Sequence, residues 1–344
     1  LSLFNVDIGD TSLSSRIECD DISFLYDKKV LEVLKPWSLC VDSDVVNRVD
    51  NLSKDQIDDI LKLSSETELS LAIIHDHRNE YDVSEIHHQR SLSYARRYNE
   101  EGEIKTTLLL QTFASYCNLM IAQSDFAGAL PFAEEAYNYV AIAYNPVHPH
   151  VQTAAGTLVD CLIHKGELYD AERFAQMTLN SLKDQANNVD QESETVAEGY
   201  YNLGRVILKQ NENLVRAGML ARESLRIRAH LYGNDHHYVG ESICLLANIL
   251  KKQGNLENEA KELYERSLAI HVEHEGPDGV NTSICNKNLG FFHCQQPGTD
   301  LPTDEKKERL RLSKSYYTEA LRIKAKIFGP DHHDAIEAAS DLSM

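Results

Sequence analysis

Leu231 to Val280, reading LYGNDHHYVGESICLLANILKKQGNLENEAKELYERSLAIHVEHEGPDGV, holds one whole structural unit and the start of the next. Apolar residues fall at Val239, Ile243, Leu246, Ala247 and Leu250, one face of a helix with a period near 3.6. Gly254 stops that helix. A second stripe runs through Leu256, Ala260, Leu263, Tyr264 and Leu268 and ends near Gly276, whose missing Cβ suits the left-handed position after a helix. The stretch predicts a helical hairpin. Its two apolar faces are too large to cover each other, so it needs neighbours of its own kind on both sides.

Those neighbours are present. Leu231-Tyr232-Gly233-Asn234-Asp235-His236-His237 recurs as Ile327-Phe328-Gly329-Pro330-Asp331-His332-His333, with looser copies at Glu275 to Asp278 and Tyr144 to Pro149. In each copy a helix is expected to end at Gly or at Asn145, since Asn also tolerates the left-handed conformation. Asp235 and Asp331 are then expected to cap the following helices, and Pro149 fits a first helical turn. The apolar anchors Val151, Val196, Val239 and Val280 lie 45, 43 and 41 residues apart. A period of roughly 42 residues reads as a solenoid.

Three helix segments, Tyr201-Asn202-Leu203-Gly204, Leu245-Leu246-Ala247-Asn248 and Asn288-Leu289-Gly290, share a pattern with the Gly-x-Leu turns at Gly166 and Gly254 and the alanines Ala129, Ala171 and Ala260. Together they resemble tetratricopeptide (TPR) repeats. The long period, the Gly-Pro-Asp-His linker and the helix ends Ser267-Leu268-Ala269-Ile270 and Ala320-Leu321-Arg322-Ile323 are similar to the kinesin light chain variety. The resemblance covers residues 104 to 342 and implies an all-α, right-handed superhelix of helical hairpins. It is specific for fold and weak for function, because such repeats serve cargo adaptors, signalling sensors and appendages to enzymes.

Composition narrows the partners. Lys and Arg number 34 against 54 Asp and Glu, a net charge of −20, so nucleic acid and anionic membrane surfaces are repelled on average. The seven cysteines are odd in number and form no Cys-x-x-Cys pair, a pattern that fits a reducing, cytoplasmic compartment. No run of about 18 apolar residues exists to span a membrane. The chain begins at Leu1, so an upstream module is left open.

Residues 1–64 read as an irregular extension. Leu3 to Ile8 and Ile22 to Tyr26 read as short strands or extended chain. A short helix is expected to start at the capping box Ser53-Lys54-Asp55-Gln56. Trp37, followed by Asp42, Asp44 and Asp50, is read either as a cap on the first hairpin or as a tethered lid over a binding groove. The solenoid is expected over residues 65–344, as five to six hairpins and a terminal capping helix from Ala335 to Leu342. The first hairpin helix is placed at Glu66 to His77, and Gln295 to Pro302 reads as a loop inserted in the last hairpin.

Candidate chemistry is sparse. Asp-His-His at residues 235–237 and 331–333 lacks the spacing of converging metal ligands, and no nucleophile elbow, phosphate loop or His-Glu-x-x-His occurs. No metal, cofactor or catalytic residue is assigned, and the chain is not read as an enzyme. The resemblance implies instead a concave wall built from successive first helices. Carried over by position, its binding residues are Tyr201, Asn202, Arg205, Asn248, Lys251, Lys287, Asn288 and Phe291. Asn202 and Asn288 match the asparagines that hold a peptide backbone in such repeats. Arg205, Lys251 and Lys287 would form a basic strip, with Lys209 and Lys252 at its margin. The expected function is a protein-interaction adaptor for an extended, acidic peptide, and a kinesin heavy chain would be a partner only if a coiled coil preceded Leu1. The alternative is the interaction arm of a larger enzyme or regulator, of zinc-finger or methyltransferase type, whose catalytic part lies upstream.

Overall fold

The computed structural model describes residues 53–78, 80–99, 106–123, 125–186, 193–254, 257–294, 303–330, 335–336 and 338–340. Expectations for residues 1–52, including the two strands or extended stretches and Trp37, for the insert 295–302 and for Asp331 lie outside them. The described residues are all-α, with helices α1 (Lys54–His77), α2 (Tyr81–Asn99), α3 (Thr106–Ala122), α4 (Phe126–Ala143), α5 (Pro149–Lys165), α6 (Leu168–Ala186), α7 (Glu194–Gln210), α8 (Leu214–Tyr232), α9 (His237–Gln253), α10 (Glu257–Glu275), α11 (Val280–Cys294) and α12 (Thr303–Phe328). They divide into two compact units, one up to Leu119 and one from Met120.

In the first unit α1 and α2 pair as a hairpin. The capping box forms as expected: Gln56 N–H donates to Ser53 Oγ at 3.3 Å, and Ser53 N–H to Gln56 Oε1 at 2.9 Å. The short helix expected from Ser53 and the hairpin helix expected from Glu66 are, however, one helix that runs unbroken through residues 64 and 65. The reason is that Leu61, Leu69, Leu71, Ala72 and Ile74 are all buried, so nothing between Leu61 and Leu69 releases the chain. Hydroxyl groups hold the hairpin's centre. Ser65 Oγ donates to Ser91 O at 2.9 Å and Ser91 Oγ to Ser65 O at 2.8 Å, a reciprocal pair that lets the two backbones approach closely.

The second unit is a stack of hairpins, in which each helix packs on the next from α4 to α12. In addition, α5 packs on α7, α7 on α9 and α9 on α11, so the first helices of successive hairpins form a continuous layer. The turns obey the glycine logic where φ is positive. Gly254 (φ 75°) and Gly276 (φ 81°) close α9 and α10 as expected. Asn145 does not: α4 ends at Tyr144 with extended backbone, and the one left-handed non-glycine among the described residues is Asn211, which closes α7. Pro149 opens α5 as expected.

The cap of α9 is His236 and not Asp235. Its Nδ1 accepts from Tyr238 N–H at 3.3 Å. His148 caps α5 in the same way, accepting from His150 N–H at 3.2 Å. In both linkers a tyrosine four residues earlier stacks on the capping ring, Tyr232 on His236 at 4.5 Å and Tyr144 on His148 at 3.9 Å. The stacking fixes the imidazole where its lone pair meets the helix start, which leaves the adjacent aspartate without a capping role.

Close packing within a hairpin explains the small residues of the repeat pattern. A Cβ on Gly290 would stand 2.9 Å from the Tyr317 ring, and one on Gly240 would stand 2.8 Å from His271 Nε2. Ala335 and Ala338 are helical and buried.

Candidate functional site: a groove along the first helices

The layer α5, α7, α9 and α11 encloses a groove of about 340 Å³. Its lining comes from Ile163 of α5, from Tyr201, Arg205, Leu208 and Lys209 of α7, from Glu241, Cys244, Leu245 and Asn248 of α9, and from Asn281, Ile284, Cys285 and Asn288 of α11, with His271 entering from α10. Glu241, Cys244 and Asn248 fall on the face of α9 opposite its apolar stripe, while Cys285 and His271 reach the groove from buried positions.

One side of the groove is anchored on a buried cation. Arg228 of α8 has no exposed side-chain surface, yet it faces three carboxylates: Glu198 at 2.5 Å, Glu194 at 3.0 Å and Glu241 at 3.3 Å. Its guanidinium also lies 5.0 Å from the ring centres of both Tyr201 and Tyr238, and it donates to Tyr238 O and Ser242 Oγ. Buried charge survives only when so paired. Glu241, which reaches the groove, is pushed up to about 7: burial is the main cause, Arg228 works against it, and Glu198 and Glu194 add to it. The groove therefore carries less negative charge near neutral pH than a count of carboxylates implies.

Among solved structures, BtubC (BKLC) from P. vanneervenii matches with a TM-score of 0.52 at 22% identity, covering 71% of this chain and 91% of that one. A Rap protein complexed with Competence and Sporulation Factor matches with a TM-score of 0.52 at 12% identity, over 95% of this chain and 97% of that one. The Rap conjugation gene regulator of the plasmid pLS20, in complex with the Phr* peptide, gives 0.51 at 16% identity, over 92% and 82%. A comparison with curated protein sequences gives no match. Residues 239–280 match the tetratricopeptide repeat family model. The fold is that of a tetratricopeptide repeat protein.

Within the tetratricopeptide groove the sequence-derived residues take different positions. Tyr201, Arg205, Asn248 and Asn288 line it together. Asn202 is buried beside it, donating to Glu198 Oε1 at 3.2 Å. Arg205 is already paired with Asp160 at 2.7 Å and lies over Tyr201 at 5.6 Å. Lys251 and Phe291 meet each other outside the lining, with Nζ 3.3 Å from the ring centre, and Lys287 lies on the same helix as Asn288 without lining the groove. Lys209 lines the groove and is exposed. Lys252 reaches back to donate to Leu208 O at 3.2 Å. The basic strip is thus broken up: Arg205, Lys251 and Lys252 are engaged by neighbouring groups, and Lys209 is the lysine that reaches the lining.

The two groove amides are partly committed. Asn248 Oδ1 accepts from Tyr264 Oη at 2.6 Å, which turns its NH2 toward Cys244 Sγ at 3.9 Å. Asn288 Nδ2 donates to the same sulfur at 3.1 Å, and its Oδ1 makes no further hydrogen bond among the described residues. Arg228, His271 and Cys285 were not among the sequence-derived candidates. Arg228 had a signal, since Ala217, Ala221, Ser224 and Arg228 share one core-facing register of α8. Among the described residues no helix is long and apolar enough to cross a membrane.

Proposed function

We propose that the chain is a non-catalytic interaction scaffold that takes an extended, acidic segment of another protein along α7, α9 and α11. The observation that carries the reading is the lining itself. Apolar Ile163, Leu208, Leu245 and Ile284 share the groove with the amides of Asn248 and Asn288. An extended peptide offers backbone donors and acceptors between side chains, and an amide answers both. The two Rap structures hold their ligands on the same fold, which supports a peptide as the kind of occupant. The acidic preference rests on Lys209 in the lining and on Lys251 and Lys287 nearby in sequence. A cytoplasmic setting belongs to the proposal through the cysteine pattern, and a kinesin heavy chain enters only with an upstream coiled coil.

Selection from a displayed peptide library against the immobilised chain tests this. Recovered sequences should be enriched in Asp and Glu. Capture should be lost in Ile284→Glu, at a groove position that is 41% exposed, and kept in Ile142→Glu, at a position outside the lining that is 89% exposed. Peptides without acidic enrichment, or capture indifferent to Ile284→Glu, would overturn the proposal.

A further inference from the structure

Cys244 and Cys285 occupy the same register of successive first helices, five residues after the anchors Val239 and Val280, and both line the groove. Their helices approach within 8 Å between Cα atoms. The hydrogen bonds around the two sulfurs are unequal. Cys244 Sγ accepts from Asn288 Nδ2 at 3.1 Å and faces Asn248 Nδ2 at 3.9 Å, and Tyr264 holds the Asn248 amide in the orientation that presents its N–H groups. Cys285 Sγ lies 3.4 Å from Ser267 Oγ, whose one proton is given to Gly240 O at 2.8 Å. Cys285 therefore keeps its proton, since Ser267 Oγ can only accept from it, while the donors that meet Cys244 are amide N–H groups.

We infer that Cys244 is a peroxide-reactive modification site and that Cys285 is its resolving partner. Amide donors converging on a sulfur favour the thiolate, which is the nucleophilic form. The direction of titration agrees, the Cys244 thiol being held below its usual range by the Cys285 hydrogen bond and then by Asn288. The Cys244 thiolate attacks one oxygen of hydrogen peroxide. The O–O bond breaks, hydroxide leaves, and Cys244 becomes a sulfenic acid, oxidised by the two electrons that reduce the peroxide. Cys285, giving up its proton, then attacks the Cys244 sulfur. The S–S bond forms as the S–O bond breaks, and hydroxide leaves with that proton as water. In sum, two thiols and one peroxide give one disulfide and two waters, and α9 is clipped to α11 across the groove floor.

The test uses the full chain, reduced, freed of reductant and treated at pH 7 with limiting hydrogen peroxide, followed by peptide mass spectrometry. The first disulfide should join Cys244 to Cys285. In Cys285→Ser, the sulfenic acid should accumulate at Cys244 and be captured by dimedone. Iodoacetamide should label Cys244 at least tenfold faster than the same chain's cysteines in denaturant at that pH. Should Cys285→Ser fail to fold, the first disulfide and the labelling rates of the wild-type chain decide alone. A first disulfide between any other pair, or labelling of Cys244 no faster than in denaturant, overturns the inference.

Discussion

Arg228 shows what a single residue does here. Its register on α8 is that of a core residue, and the fold keeps its charge by bringing Glu194 and Glu198 from α7 and Glu241 from α9 against it. Removing Arg228 leaves three half-buried carboxylates unpaired and close together, at a cost of up to about 3–5 kcal/mol. Arg228→Met should lose that much in urea unfolding, and adding Glu241→Gln should return part of it; a loss below about 1 kcal/mol would show that the carboxylates find water instead. His88 makes the complementary case for a neutral group. It is fully buried, with Nδ1 3.1 Å from Ser84 O and Nε2 2.9 Å from Ser115 Oγ, and burial holds it down at about 4. The unfolded chain binds a proton there from about pH 6.5 downward, while the folded chain does not until pH approaches 4, so stability falls with pH across that window. His88→Gln should flatten the decline measured between pH 6.5 and 4, and an unchanged slope would assign the loss to other groups. Neither residue's role could be read from sequence, because a buried charge or imidazole is recognised by its side-chain partners, and Ser115 of His88 and the carboxylates Glu194 and Glu241 of Arg228 lie 13 to 34 residues away.

At the scale of helices and linkers, most of the architecture was legible. Apolar periodicity marks the helices, and Gly254 and Gly276 mark their ends, because a left-handed residue strongly selects glycine. The linkers were misread where two residue types compete for one task. Asp235 is the commoner cap, but Tyr232 stacks on His236 and sets that ring at the start of α9. Such a cap needs an unprotonated Nδ1, and burial, His274 and Arg228 all hold His236 below its usual pKa. His236→Ala should cost about 1 kcal/mol at pH 8. His236→Asp should keep the wild-type melting temperature at pH 8 and fall less than wild type at pH 5, since a carboxylate still caps there and suits the positive helix end. Equal losses in the two variants would show that the ring packs without capping. The groove candidates came from positions that the tetratricopeptide resemblance implies on one face of each first helix, and of these Tyr201, Arg205, Asn248 and Asn288 line one groove. His271 comes from a second helix and Cys285 lies on the buried side of α11, so neither belongs to the face that was read.

For the molecule as a whole, the question is how a chain of net charge −20 would take up the acidic partner proposed for it. Long-range charge opposes it, so the attraction has to be local and sensitive to salt. Arg205 is held by Asp160 and the Lys251 ammonium is set against Phe291, so reversing either would damage the fold along with the groove. Lys209, exposed in the lining, and Lys287, half-buried beside Asn288 on α11, are the remaining lysines to reverse. Exposed pairs contribute about 0.2–1 kcal/mol each, and reversal replaces attraction by repulsion, so Lys209→Glu with Lys287→Glu should cost about 0.5–2 kcal/mol, roughly 2- to 30-fold in affinity. The decisive measurement is a calorimetric titration of one library-selected acidic peptide into the wild-type chain and this double variant, at low and at high salt, with helical content checked by circular dichroism. The peptide should bind the variant several-fold more weakly at low salt, with the gap closing as salt rises; equal affinity for two equally folded proteins at low salt would contradict an acidic ligand in this groove.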